Sequence, residues 1–192
     1  MKLTKEYVKK CIEEVAPLVE EISRLECDLT DLNLIILPKN ELKSITPGVA
    51  SYRSKNNFSI GNRSLGNEEF TKLILGHELV HNAQDNSFPG FSDLRKSFIK
   101  LWKENHSTVS PLIRLEEGDA TLIEQELSDK YFKYAKINFL KIPLIPFNWG
   151  MSPDYLSWEE ILRKKFNNGK DRKSINELYT APIEELVKIF GE

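Results

Sequence analysis

The chain has 192 residues and only two cysteines, Cys11 and Cys27. If residues 4–25 form one helix, these two start about 24 Å apart at 1.5 Å per residue, whereas a disulfide needs Cα atoms within roughly 7 Å. A disulfide framework is therefore excluded. With no CxxC pair the thiols are also poor metal ligands, and they read as small buried or half-buried apolar groups. Long apolar runs are missing too. No stretch approaches the roughly 18 residues that span a bilayer, so no membrane partner is expected. The first residues, MKLTKEYVKKCIEEVAPLVEEI, place charge in every turn. They lack the apolar core of a secretory signal, so a cytoplasmic location is expected. Charge of one sign is not in excess: the formal net charge is -2. That excludes a nucleic-acid binder working through bulk positive charge. Histidine is scarce as well, with three in the whole chain.

What remains reads as an ordinary globular protein, long enough for one sizeable domain or two tightly packed lobes. Val8, Ile12, Val15, Leu18, Val19, Ile22 and Leu25 recur at helical spacing and predict a helix over 4–25, kinked at Pro17. LNLIIL (32–37) predicts a short buried strand, and the loose alternation from Ala50 to Ile60 one or two more. Thr46-Pro47-Gly48 marks a turn. Asn67 caps a helix from Glu68 to about Asp85, with acids in its first turn. Further helices are expected at 92–106, 110–136, 155–167, 173–179 and 182–190. Ser110-Pro111 opens the second of these. Pro143, Pro146 and Pro153 make 141–154 an ordered loop. The layout is α+β: mainly helical, with a small antiparallel-containing sheet near the N-terminus.

Two of the three histidines stand in His77-Glu78-Leu79-Val80-His81. On a helix, positions i and i+4 share a face one turn apart, so both imidazoles reach one ion. Glu78 is turned about 100° away, placed to act on a metal-bound water while leaving coordination to the histidines. Phe70, Leu73, Ile74, His77 and His81 form one stripe, so the histidines face the core. Gly76 leaves room for a neighbouring backbone. A di-iron carboxylate site needs a second Glu-x-x-His on another helix, and only Glu78-x-x-His81 is present.

A catalytic zinc centre takes three protein ligands and a water. No histidine follows at the HExxHxxGxxH position, where Ser87 stands. The stretch RLEEGDAT (114–121) offers Glu116 and Glu117. As a helix it aligns Ile113, Glu117, Ala120, Glu124, Leu127 and Tyr131 on one face. A carboxylate within such an apolar stripe needs a partner or a metal. Glu124, two turns beyond Glu117, is placed to accept a hydrogen bond from a ligand histidine, with Asp119 as the alternative.

These residues resemble the gluzincin zinc peptidases, whose glutamate helix often reads Glu-Gly-x-Ala. The resemblance puts the third ligand at Glu117, with Glu116 as the alternative. It departs at Thr121, where thermolysin-type members carry an acid. PFNWG (146–150) and NELYTAP (176–182), with the Glu-Gly-Asp-Ala helix, also resemble a set of uncharacterised prokaryotic HExxH proteins. The resemblance implies a single zincin-like domain over 1–192: a lobe at 1–90 with the sheet and the HExxH helix, and a helical lobe at 91–192 with the glutamate helix. It implies a Zn2+ cofactor held by His77, His81 and Glu117. It implies hydrolysis of a peptide or protein substrate by a zinc-bound water, with Glu78 as general base. Residues 56–61 would form the edge strand along which substrate lies, and the loop 141–154 with Trp149 would wall the other side. Tyr155, Tyr179 and His106 are candidates, by residue type, for the oxyanion donor. The alternative reading is a zincin-like binding or regulatory protein without turnover.

Overall fold

The computed structural model describes residues 3–37, 50–53, 56–61, 68–105, 109–133 and 153–190. The turn at 46–48, Asn67, His106 and Trp149 lie outside them, as does the loop up to residue 152. The described residues form a mainly helical α+β protein with one three-stranded sheet.

Helix α1 spans Lys5–Ser23. The Thr4 hydroxyl accepts from the Tyr7 N–H at 3.2 Å and starts it. Arg24 ends it in the left-handed region, φ 61°, donating to the Glu20 carbonyl. The helix runs on through Pro17, which lies inside it. Its expected stripe is the buried one: Val8, Ile12, Val15, Val19 and Ile22.

Strands β1 (Asn33–Leu37), β2 (Ala50–Arg53) and β3 (Asn57–Gly61) form the sheet in the order β1-β3-β2. β2 and β3 pair antiparallel, as a three-residue connection between them requires; Asn56 turns it with φ 58°. β1 and β3 pair parallel, the intervening chain being long enough for a crossover. The sheet is thus mixed. Residues 57–61 are its central strand, so they cannot be the free edge the sequence led us to expect; β2 has inserted itself beside them. β1 lies at the opposite edge, which leaves Ile35 exposed in a strand expected to be buried.

Helix α2 (Glu68–Ser87) carries the HExxH residues, and α3 (Phe91–Asn105) follows it. Helix α4 (Pro111–Lys130) carries Glu116 and Glu117. Ser110 caps α4 by accepting from the Leu112 N–H at 3.3 Å, with Pro111 in the first turn, where no N–H is needed. Helices α5 (Pro153–Lys165), α6 (Arg172–Glu177) and α7 (Ile183–Phe190) close the chain, with a 3₁₀ turn at Leu178–Thr180 after α6. Among the described residues no helix is long and apolar enough to cross a membrane.

Two apolar clusters hold these elements, and α4 belongs to both. Ala120, Ile123 and Leu127 join α1, α2 and the sheet. Leu112, Leu115 and Leu122 join α5, α6 and α7. A helix buried on several sides cannot show a clean polar face, and α4 buries Glu116, Asp119, Thr121 and Glu124 among its apolar residues. Two glycines set its distances to its neighbours. A Cβ on Gly118 would lie 3.0 Å from Trp158 Cβ and 3.1 Å from its carbonyl carbon, so α5 packs directly on α4. A Cβ on Gly76 would lie 2.7 Å from Leu127 Cδ1, so it is a side chain of α4, and not a neighbouring backbone, that fills the gap on α2.

Candidate metal centre

Helices α2 and α4 bring His77, His81 and Glu117 together, with one donor atom from each within 4.8 Å of the others. Glu117 Oε2 lies 3.4 Å from His77 Nε2 and 3.7 Å from His81 Nε2. Adjacent ligands of a tetrahedral zinc stand about 3.3 Å apart on arms of about 2.0–2.1 Å. The rings meet edge to face with centroids 5.0 Å apart, on the one face of the helix that i and i+4 share. The group is largely enclosed: the side chains of His77 and Glu117 keep 15% and 21% of their exposure, and that of His81 10%.

The far nitrogen of each ring is already engaged. His77 Nδ1 lies 2.9 Å from Glu124 Oε2. His81 Nδ1 lies 3.0 Å from Gln84 Oε1 and 3.6 Å from Glu116 Oε1. Facing acceptors, each Nδ1 carries the proton of a neutral ring, so each Nε2 presents a lone pair. Two lone pairs and a carboxylate oxygen then converge, and such a group requires positive charge at its centre. A divalent cation meets that need for all three donors, so the residues fit a metal by their own chemistry. The electrostatics state the same need in protons. Burial lowers the His77 pKa, but Glu117 and Glu124 outweigh it and hold it well above the ordinary histidine value. The same contest, with Glu117 and Glu116 as the carboxylates, raises His81 to about 9. Burial pushes Glu117 up, yet the two imidazoles hold its carboxyl far below the usual range.

Glu116 and Glu117 are adjacent but take opposite sides of His81. Glu117 faces both Nε2 atoms, whereas Glu116 is buried behind Nδ1 and ion-paired with Arg95 of α3. Asp119 is neither solvated nor beside a ligand ring; it is fully buried and paired with Arg172 at 2.6 Å. Tyr179 does not supply an oxyanion donor. Its hydroxyl is buried and donates to Asp119 at 3.0 Å, behind the histidines. His106 and the Tyr155 side chain lie outside the described residues.

Glu78 lies beside this group with its carboxylate anchored, since Oε2 accepts the Tyr52 backbone N–H at 2.5 Å. Tyr52 belongs to β2, so an edge strand runs against α2 at the point where Glu78 projects. Burial raises the Glu78 pKa, and the two histidines and the Tyr52 N–H only partly offset it. Tyr52, Gln84 and Arg172 were not singled out in the sequence. Gln84 carried a signal: it lies three residues after His81 and seven after His77, on their face of the helix. A backbone donor such as Tyr52 has no side-chain signature, and Arg172 is too far along the chain for any local spacing.

Comparisons with protein-family models, with curated proteins and with solved structures found nothing that matches this chain.

Proposed function

We propose that the chain is a zinc-dependent metallohydrolase of gluzincin type, most simply a peptidase, with His77, His81 and Glu117 as ligands and Glu78 as general base. One observation carries the reading. The two Nε2 atoms meet one oxygen of Glu117 at 3.4 and 3.7 Å while both Nδ1 atoms are engaged behind them. Zinc held there supplies Lewis acidity, lowering the pKa of water toward about 7 and polarising a carbonyl oxygen. Glu78 takes the proton of the attacking water on its carboxylate and hands it to the leaving amine. Burial makes that carboxylate a better proton acceptor than an ordinary glutamate, and the Tyr52 N–H fixes its orientation. Glu124 and Gln84 keep the imidazoles aimed. Among the described residues β2 is the outermost strand on its side of the sheet and runs beside Glu78, and an extended segment laid along that strand favours a peptide substrate over a small amide.

The experiment is a pair of measurements on protein purified without chelator. Zinc is expected at close to one per chain, and less than about half per chain overturns the metal reading. A peptide library analysed by mass spectrometry is expected to show new termini with the native chain and none with Glu78→Gln, which keeps its zinc. A library untouched by the zinc-loaded native chain overturns hydrolysis and leaves a zinc-binding protein without turnover.

A further inference from the structure

Behind His81 stands a buried series of polar groups, of which the proposed function uses Gln84 alone. Gln84 Oε1 faces His81 Nδ1 at 3.0 Å. Gln84 Nε2 donates to the Tyr179 oxygen at 2.5 Å, with Asp119 Oδ2 at 3.4 Å and the Glu116 carbonyl at 3.5 Å as weaker neighbours. The Tyr179 hydroxyl donates to Asp119 Oδ2 at 3.0 Å. Asp119 Oδ1 accepts from Arg172 at 2.6 Å. Gln84, Asp119, Arg172 and Tyr179 are each at most 8% exposed, so they are shielded from bulk water and a lost partner is costly.

The direction of every bond follows from its last member. A guanidinium only donates, so Asp119 is its anionic acceptor. An anionic carboxylate only accepts, so the Tyr179 hydroxyl donates to it. That leaves the Tyr179 oxygen as an acceptor, and it faces the amide nitrogen of Gln84. The amide oxygen therefore points the other way, at His81 Nδ1. An acceptor at Nδ1 calls for the proton there and leaves Nε2 bare. Reversing any one bond places two donors or two acceptors face to face in a buried site, which costs about 1–3 kcal/mol per unsatisfied group. The rings support the same placement. Tyr179 stacks on Phe88 with centroids 4.7 Å apart and meets Phe91 edge-on at 5.0 Å, which fixes the hydroxyl over Gln84.

We infer that Arg172, Asp119, Tyr179 and Gln84 form a one-way hydrogen-bond chain that fixes His81 as its Nδ1–H tautomer and aims its Nε2 at Glu117. These four are positioning residues; none touches the metal-facing side of the ring. The chain makes α6 and the 3₁₀ turn part of the metal centre, although Tyr179 is 95 positions beyond Gln84. Among the described residues His77 Nδ1 is held by the Glu124 carboxylate and by no comparable chain, which makes His77 an internal control.

The consequence for zinc rests on the metal reading above; the tautomer itself does not. Protein labelled with nitrogen-15 in histidine is read by long-range ring correlations, which report the protonated nitrogen of each imidazole. In zinc-free protein, above the pH at which His81 becomes neutral, the native chain is expected to show His81 with its proton on Nδ1. Tyr179→Phe keeps the ring stacking and breaks the chain in the middle. It is expected to give a mixture of His81 tautomers, to leave His77 unchanged, and to weaken zinc in a chelator competition by about 10–100-fold. Gln84→Met is the second variant, should Tyr179→Phe fail to fold, with the same expected changes. A native His81 protonated on Nε2, or a folded variant that leaves the His81 tautomer unmoved, overturns the chain. A native protein that takes up no zinc overturns the metal reading, and the tautomer measured without zinc still decides the chain.

Discussion

The two flanks of helix α2 are built from different materials. The flank toward α1 and the sheet is hydrocarbon: Leu75, Leu79 and Val80 pack with Val15 and Val19 of α1, and these residues are essentially inaccessible. The flank toward α4 is polar. It carries His77, His81 and Gln84 against Glu116, Glu117, Asp119 and Glu124. The contrast divides the work of the helix. Apolar burial on one flank supplies non-directional stability, at about 25 cal/mol per Å². Directional bonds on the other place donor atoms and add little net stability, because each replaces a bond to water. A change on the dry flank should therefore unfold the protein before it disturbs the proposed metal centre, and a change on the polar flank should do the reverse.

Leu79→Ala tests the dry flank and should have the largest effect on stability. Leu79 is fully buried, and truncating such a leucine costs about 2–5 kcal/mol. Urea denaturation of the zinc-free protein reads the loss. The same variant, under conditions where it is folded, is expected to bind zinc as the native chain does. Weaker zinc binding in the folded variant would break the division between the flanks.

Glu124→Gln tests the polar flank. It replaces the carboxylate behind His77 with a neutral amide of the same shape. Zinc should weaken about 10–100-fold, equivalent to roughly 1.4–2.7 kcal/mol. Chelator competition measures it. An unchanged affinity would mean that Glu124 serves the fold alone.

Protons sharpen the contrast further. In the zinc-free protein His81 titrates at about 9, above the ordinary 6.5. A raised value means that the stability it confers is complete below 6.5 and is lost as pH rises through about 9. Glu78, raised by burial, acts in the same direction above 4.5. Glu117 has the opposite sign. Its depressed value confers stability above 4.5 that is lost only in more acid solution, so it does not contribute to the alkaline decline. The urea midpoint of the zinc-free protein should therefore fall between pH 6.5 and 9, while zinc affinity rises over the same interval because the metal takes the place of the protons. A midpoint that stays flat without zinc would mean that the polar flank is not held by protonated histidine.

The dry flank was the more legible of the two in the sequence. Val8, Ile12, Val15, Val19 and Ile22 repeat with the helix period, and period alone tells which way they face. His77 and His81 were legible for the same reason, since i and i+4 place them on one side of α2. Helical spacing put Glu117 on one face with Ala120 and Glu124 and left Glu116 as the alternative; that Glu116 lies behind His81 and pairs with Arg95 had no signature in the sequence. The sheet was half legible. Alternation marks a strand but not its neighbour, so the order that puts β3 between β1 and β2 had no signature. The chain behind His81 was the least legible part. It joins Gln84 to Tyr179 and Arg172 through contacts that exist only once α6 has docked.

Gly76 stands where the two flanks meet, and Gly76→Ala should have the smallest effect. Two terms oppose each other. Alanine favours the helix over glycine by about 1 kcal/mol. Its methyl would lie 2.7 Å from Leu127 Cδ1, so the leucine end must turn aside within a packed core. The atom that must move is the tip of a flexible side chain, so the net change in stability should stay within about 1 kcal/mol of zero. Leu127→Val opens space at that point, and the double variant Gly76→Ala with Leu127→Val should be more stable than the two single changes added together. Urea denaturation of the four proteins reads the coupling. Simple additivity would mean that the leucine does not set the distance between α2 and α4, and that the spacing of His77, His81 and Glu117 is fixed elsewhere.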